Sequence, residues 1–343
     1  MTVSHSASAA EVDAARLLLD RLGVSAEQLL DATHDDTAVP TFGEYIPQVA
    51  AAVSAGTRRV YQSYWNRIQH EWSSRRLHEP SATDIAQLAE QAKTSVVVRA
   101  NARGGHLAAE HTISALRCLY RHAIADNLLP EHRNTALRVA KPRRLASARR
   151  ALLDTQLAAI NHIATTTGND RDLDGLLVRL HVETACRRGG ALALRPIDLD
   201  PEQSLIRLRE KGETDRWQPV SPTVMRYLRQ HHQHRHQGNT DLRAPLLRYR
   251  NGKPITYRRY DHLWARLGEH LPWVAAQQVS THWLRHTTLT WVERHFGYAV
   301  ARAYAGHNDR TDFGVTATYV RADLYEVVVA LSALTGEVHP LTT

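Results

Sequence analysis

The stretch Thr184-Ala185-Cys186-Arg187-Arg188-Gly189-Gly190-Ala191-Leu192-Ala193-Leu194-Arg195 follows an apolar helical run (Leu176, Leu177, Leu180, Val182) and brings an arginine pair to its end. Further on stands His282-Trp283-Leu284-Arg285-His286-Thr287. Residues three apart on a helix share a face, so His282 and Arg285 can address one ligand. An arginine is permanently charged, and its planar fork meets two phosphate oxygens at once. Arginines at such places, with a histidine beside one of them, suit an anionic ligand such as a phosphate. The decisive chemistry is expected on helices of the C-terminal half.

Working outward, that half begins near Asp154, a candidate N-cap for Leu157, Ile160 and Ile163. Two β-like runs, Ser204–Leu208 and Trp217–Val220, are separated by Lys211-Gly212-Glu213-Thr214-Asp215, the turn chemistry of a hairpin. Helices are predicted around Val224–Gln230, Tyr260–Leu267, His282–Phe296, Tyr298–Tyr304 and Thr316–Leu334. Toward the N-terminus, Ala9 to Ala32 reads as two short helices broken near Gly23, with Ser25 and Gln28 as a capping box for the second. A polar connector, His34 to Pro40, follows. From Thr41 to Val139 the pattern is helical. One helix has Thr57 as its cap and Tyr61, Trp65, Ile68 and Trp72 on one face, a second opens near Ser81 (Ile85, Leu88), and a third runs from about Glu110 (Ile113, Leu116, Tyr120, Ile124). The expected fold is α+β and mainly α-helical. An acidic helical segment (1–40) precedes a helical domain (41–139), a basic linker (140–152) and a larger domain with a small antiparallel sheet (153–343).

The 343 residues carry a net charge of +8, unevenly placed. Residues 1–40 hold Glu11, Asp13, Asp20, Glu27, Asp31, Asp35 and Asp36 against Arg16 and Arg21, so the remainder is more basic than the total suggests. A body that basic fits a polyanionic partner, because clustered Lys and Arg release condensed counterions from a phosphate backbone. From Arg133 to Arg150 there is no acid; Arg138, Lys141, Arg143, Arg144, Arg149 and Arg150 are the candidate DNA contacts of an extended linker. The cysteines, Cys118 and Cys186, lie in apolar helical patterns, which points away from a disulfide framework and toward a reducing compartment. With no long apolar run and no basic-then-apolar leader, a cytoplasmic protein without a membrane span is expected.

Taken in order, the motifs resemble those of the tyrosine recombinases of the phage-integrase type. The stretch around Arg187 looks like their first-arginine box, and His282-Trp283-Leu284-Arg285-His286-Thr287 is similar to their His-x-x-Arg-His-Thr box. Lys211-Gly212 resembles their lysine turn, Ala305-Gly306-His307 their Gly-His element, and Thr316-Ala317-Thr318-Tyr319 the Thr-x-x-Tyr around their nucleophile. The match covers roughly residues 150–335; the helical region 41–139 is a looser likeness to the family's core-binding domain. The resemblance implies a catalytic set of Arg187, Lys211, His282, Arg285, His307 and Tyr319. It implies a site-specific recombinase that forms a 3′-phosphotyrosyl intermediate and a Holliday junction without a cofactor. The expected partners are double-stranded DNA attachment sites and, on DNA, three further copies of a chain that is monomeric when free.

The residue chemistry agrees with those roles. A phenol titrates near pH 10, so Tyr319 needs a cationic surround to become a useful nucleophile. Lys211 on a hairpin is a natural general acid for the leaving 5′ oxygen. His282 either takes the tyrosine proton or hydrogen-bonds the phosphate. His286 reads as structural and Arg188 as a surface or DNA-backbone contact. His231, His232, His234 and His236 lack the Cys or acids of a metal site and read as a solvated or DNA-facing helix end.

Two departures from the family pattern stand out. Gly189 and Gly190 occupy the places of a small residue followed by Glu, and the interval from His307 to Tyr319 is a few residues longer than usual. Tyr325 and Tyr304 are the lesser nucleophile candidates for that reason. The apolar helix after Tyr319 (Leu324, Val327, Val328, Leu331, Leu334) either docks on a neighbouring subunit or packs on its own chain. Two other readings, a type IB topoisomerase and a DNA-binding regulator without catalysis, compete with the recombinase.

Overall fold

The computed structural model describes residues 8–25, 38–95, 103–143, 150–210, 214–238, 240–306 and 323–342. The chain divides into two compact units, Met1–Ala146 and Ser147–Thr343.

The first unit is helical. Helix α1 (Ala9–Leu22) is capped by Ser8, closes at Gly23 as the sequence suggests, and buries none of its residues. The second helix expected in that segment, with its Ser25–Gln28 box, falls largely outside the described residues. Helix α2 (Phe42–Ala52) starts from a Thr41–Glu44 capping box. Helix α3 (Ala55–Trp72) is capped by Ser54 and not by Thr57, because the Ser54 hydroxyl accepts the Thr57 N–H at 3.2 Å and makes Thr57 a residue of the first turn. Helix α4 (Ala82–Thr94) is capped by Ser81 as expected. Helix α5 (His106–Ala125) begins before Glu110, since Gly105 in a left-handed conformation turns the chain into it. A short α6 (Thr135–Arg138) follows. Phe42, Tyr45, Trp65, Ile68, Leu116 and Tyr120 meet in one apolar core. Phe42 lies 5.5 Å from the Trp72 ring, and the Trp65 indole N–H donates to the Ala115 carbonyl at 3.2 Å. Burial of this kind contributes roughly 25 cal/mol per Å² of apolar surface.

The second unit is mixed. Helices α7 (Asp154–Thr166) and α8 (Arg171–Thr184) lead to a five-residue α9 (Arg188–Leu192). At the start of α7 the cap position belongs to Leu153, whose N–H donates to the Gln156 side-chain carbonyl at 3.1 Å; Asp154 is already helical. Strands β1 (Leu199–Asp200), β2 (Leu205–Glu210) and β3 (Thr214–Pro219) form an antiparallel sheet in that order. The hairpin is longer than the apolar runs implied, because charged residues continue both strands: Arg209 pairs with Asp215 and Glu210 with Thr214. Its turn, 211–213, lies outside the described residues.

Helices α10 (Pro222–Arg235), α11 (Tyr257–His270), α12 (Pro272–Ala276), α13 (Thr281–Ala305) and α14 (Leu324–Thr335) complete the unit. The two helices expected on either side of Gly297 are present as α13, broken at Gly297 by its positive φ of 85°. Of the last helix, the part from Leu324 is described. Val327, Ala330 and Leu331 pack against Val292, Val300 and Tyr304 of α13, so α14 docks on its own chain. The tail beyond it is fastened by Glu337, which accepts from Arg179 at 2.5 Å and from the Thr223 N–H at 3.1 Å. Among the described residues no helix is long and apolar enough to cross a membrane.

Candidate active site

Arg187 and Arg285 reach one place from different elements. Helix α8 ends at Ala185, a non-glycine residue in the left-handed region (φ 49°, ψ 22°), a conformation that costs about 1–3 kcal/mol and that the surroundings must enforce. The enforcement is visible in the hydrogen bonds around it. The Thr184 hydroxyl accepts the Cys186 N–H at 3.2 Å, and the buried His181 holds the Cys186 carbonyl at 3.0 Å. A carbonyl can only accept, so Nδ1 of His181 carries the proton, and Nε2 receives the Tyr260 hydroxyl at 2.9 Å. Burial lowers the His181 pKa to about 4, which keeps the ring neutral and this arrangement intact at neutral pH. The same burial pushes the Cys186 thiol up to about 11, so it is not a nucleophile.

Arg187 emerges from this turn as the residue before α9, with its side chain 38% exposed. Arg285 comes from the first turns of α13 and is buried at 4% exposure. Its guanidinium donates to the Ala185 carbonyl and, at 2.8 Å, to the Ala305 carbonyl. Two carbonyls at two helix ends thus fix its orientation without neutralising it. Burial, and next the Arg187 charge, pull its pKa down to about 10, which leaves it charged at neutral pH. His282, one turn before it, is exposed. A cavity of about 460 Å³ is lined by Arg187, Arg188, Asp261, Trp264, His282 and Arg285. Three of the six expected catalytic residues are therefore brought together. Lys211, His307 and Tyr319 lie outside the described residues, but their attachment points are defined. Lys211 follows Glu210 at the end of β2, His307 follows Gly306 at the end of α13, and Tyr319 precedes α14.

Beneath the arginines sit two groups that the sequence reading passed over. Glu210 has a completely enclosed side chain whose carboxylate accepts the Arg187 backbone N–H at 2.5 Å and its Nη1 at 3.0 Å. Arg216 of β3 lies 3.9 Å from the same carboxylate, and its Nε and Nη2 have no hydrogen-bond partner among the described residues. Burial lowers its pKa. Gly306, in a left-handed conformation (φ 65°), is the residue that a side chain at that position would drive into the Arg216 guanidinium. The signal for both was period-2 alternation. Ile206, Leu208 and Glu210 alternate inward along β2, and Arg216 faces Leu208 across the ladder. Trp217, the first residue of the second expected β-run, is 44% exposed.

The other candidates separate clearly. Arg188 pairs with Asp261 at 3.3 Å at the cavity edge, and His286 shares a hydrogen bond with Thr290 at 3.1 Å. His231 is buried and accepts the Arg248 N–H at 3.0 Å, while His236 bonds to backbone carbonyls of its own helix, so the histidine run is not directed at one point. Tyr304 is fully buried with its hydroxyl donated to the Glu183 carbonyl, and Tyr325 is 57% exposed on α14. Of the basic stretch, Arg138, Lys141, Arg143 and Arg150 are exposed; Arg144 and Arg149 lie outside the described residues.

Residues 150–324 match the profile of the phage integrase family, over half of the chain. The chain belongs to the phage integrase family. Among curated relatives, it is 29% identical over 138 residues to the tyrosine recombinase XerC of Chlamydia caviae, an alignment covering 39% of this chain and 43% of that protein. It is 24% identical over 216 residues to XerC of Chlamydia trachomatis serovar L2, covering 62% and 66%. The chain thus spans about half to two thirds of the length of these relatives. Solved structures share the integrase fold. A lambda integrase tetramer bound to a Holliday junction superposes with a TM-score of 0.59 at 14% identity, covering 89% of this chain and 88% of that one. The Tn1549 transposon integrase in complex with transposon right-end DNA gives 0.62 at 15%, covering 86% and 100%.

Proposed function

We propose that this phage-integrase-family chain is a site-specific recombinase that cuts and rejoins DNA through a covalent link between Tyr319 and a 3′ phosphate. The observation that carries the reading is the convergence of Arg187, Arg285 and His282 on one cavity, with Arg285 fixed by two carbonyls and still charged. Two oriented guanidiniums around a phosphate stabilise charge that develops in the transition state, and removing one such donor typically costs about 10²–10³-fold in rate.

In the proposed reaction the Tyr319 oxygen attacks phosphorus and the bond to the 5′ oxygen breaks. Lys211 gives that oxygen its proton, and His282 takes the tyrosine proton or hydrogen-bonds the phosphate. His307 donates to a non-bridging oxygen. The 5′ hydroxyl of the partner strand then attacks the phosphotyrosine and releases Tyr319. Every phosphodiester is conserved, so no cofactor is required. On this reading residues 41–139 are a core DNA-binding domain and residues 140–152 a linker lying along phosphates. Residues 153–343 are the catalytic domain, and the enzyme is a cytoplasmic monomer that assembles as a tetramer on paired attachment sites.

A nicked suicide substrate built from the DNA flanking the gene tests the function. The cleaved short strand diffuses away, so the wild-type protein should accumulate as a denaturant-resistant adduct. Sequence-specific binding without any adduct would favour a regulator that has lost catalysis.

A further inference from the structure

We propose that Glu210 positions Arg187 for the scissile phosphate, and that Gly190 is the space this arrangement requires; the inference rests on the recombinase reading above. Arg187 is anchored at two points, its backbone N–H and its Nη1, and both go to the one carboxylate of Glu210, at 2.5 and 3.0 Å. Among the described residues nothing else takes its side chain, so Nε and Nη2 remain for phosphate oxygens. The carboxylate is fully enclosed and therefore oriented, whereas the guanidinium it holds is 38% exposed and lines the cavity. Arginine on a surface loses side-chain entropy when ordered; here the ordering precedes DNA binding. Glu210 also offsets like charge, since Arg216 lies 3.9 Å from the same carboxylate oxygen that takes Arg187 Nη1, and Arg285 feels Arg187.

Where the family usually places a glutamate, three residues after the first arginine, this chain has Gly190. A Cβ built there would stand 3.0 Å from Glu210 Cγ and 3.2 Å from Oε1. The carboxylate is thus supplied from β2 instead of α9, and the glycine leaves it room, since a side chain there would make it shift by a few tenths of an ångström. Because Glu210 precedes Lys211 in the chain, the residue next to the proposed general acid also holds the first arginine.

The test is Glu210→Gln, which keeps the shape and removes the charge and one acceptor. Adduct formation in a single turnover should slow by about 10–100-fold, the scale expected for a catalytic group misplaced by about 1 Å, while DNA affinity stays level or rises. In an Arg187→Ala background the same change should alter the residual rate by no more than about twofold, because the two act as one unit. Gly190→Glu combined with Glu210→Ala should recover at least about tenfold over Glu210→Ala alone, on the same scale of positional sensitivity. Independently of activity, nitrogen-15 spectra should show the Arg187 Nη resonances distinct and slowly exchanging in the wild type and averaged in Glu210→Gln. Wild-type cleavage by Glu210→Gln, an undiminished effect in the Arg187→Ala background, or unchanged Arg187 resonances would overturn the proposal. If the wild type forms no adduct on its flanking DNA, the recombinase reading fails, and the spectra still decide whether Glu210 holds Arg187.

Discussion

The two units are built on different principles. Among the described residues of the first unit one charged side chain, Glu110, is buried, and the core is a cluster of aromatic and aliphatic groups. The second unit buries Asp170, Asp174, Glu183, Asp198, Glu210, Arg235, Arg248, Arg259 and Arg285. The carboxylates are paired with arginines, while Arg248 and Arg285 donate to backbone carbonyls. Asp170 accepts both Nη atoms of Arg235 at 2.5 and 2.6 Å, and Asp174 accepts Arg259 Nε at 2.8 Å and Arg266 Nη2 at 2.7 Å. Buried ion pairs seldom add net stability, since desolvation offsets attraction. At the cavity one enclosed carboxylate, Glu210, holds Arg187. The first unit rests on apolar area.

Breaking one partner should give the largest response. Asp174→Asn leaves Arg259 and Arg266 without their counter-ion and should destabilise the second unit by about 3–5 kcal/mol. Leu116→Ala should destabilise the first by a comparable amount, about 2–5 kcal/mol, through a cavity. The contrast is in what relieves the loss: replacing Arg259 and Arg266 as well should recover part of the Asp174→Asn loss in urea unfolding, because the uncompensated charges go too, and should leave the Leu116→Ala loss unchanged. No recovery would erase the distinction between the units.

Acid should sharpen it in the wild type. Burial holds the pKa of His181 near 4, against an ordinary value of 6.5. Below pH 6.5 the unfolded chain binds a proton that the folded one refuses, so stability falls as pH drops from about 6.5 to about 4, by roughly 1.4 kcal/mol per unit. His231, also lowered to about 4 by burial, acts in the same direction. Native-state hydrogen exchange at pH 7 and pH 5 should show protection lost in α8 and α10 and retained in α3 and α5. Loss in the first unit ahead of the second would contradict the assignment.

A smaller effect is expected in the basic stretch. Arg143→Ala with Arg144→Ala should weaken binding to all DNA sequences alike and flatten the salt dependence by about one logarithmic unit per lost contact. An unchanged slope would remove these residues from the interface.

Legibility followed the same division. Helical periodicity was enough for α3, α4, α11 and the two halves of α13, because an apolar stripe leaves its mark every three to four residues. His282 and Arg285 were legible through residue type and helical spacing, and Arg187 through the resemblance of its stretch to the family's first-arginine box. Glu210 and Arg216 were not, because a charged residue on a strand reads as a solvent-facing one unless the alternation of its neighbours is followed. Ile206 and Leu208 carried that information. Cap positions failed where two candidates stood close, as with Ser54 and Thr57, since the choice depends on which residue keeps an extended backbone.

The most direct measurement is the chemical identity of the covalent link. Wild-type protein, Tyr319→Phe, Tyr325→Phe and Tyr304→Phe are each incubated with the nicked substrate, and the adduct is digested and mapped. Loss of one hydroxyl removes the nucleophile without touching the basic surface, so Tyr319→Phe should bind DNA with nearly unchanged affinity and form no adduct. Tyr325→Phe should retain adduct formation, and so should any folded Tyr304→Phe, whose hydroxyl serves the Glu183 carbonyl. The mapped peptide should carry DNA on Tyr319; an adduct that survives in Tyr319→Phe and disappears in Tyr325→Phe would contradict the account.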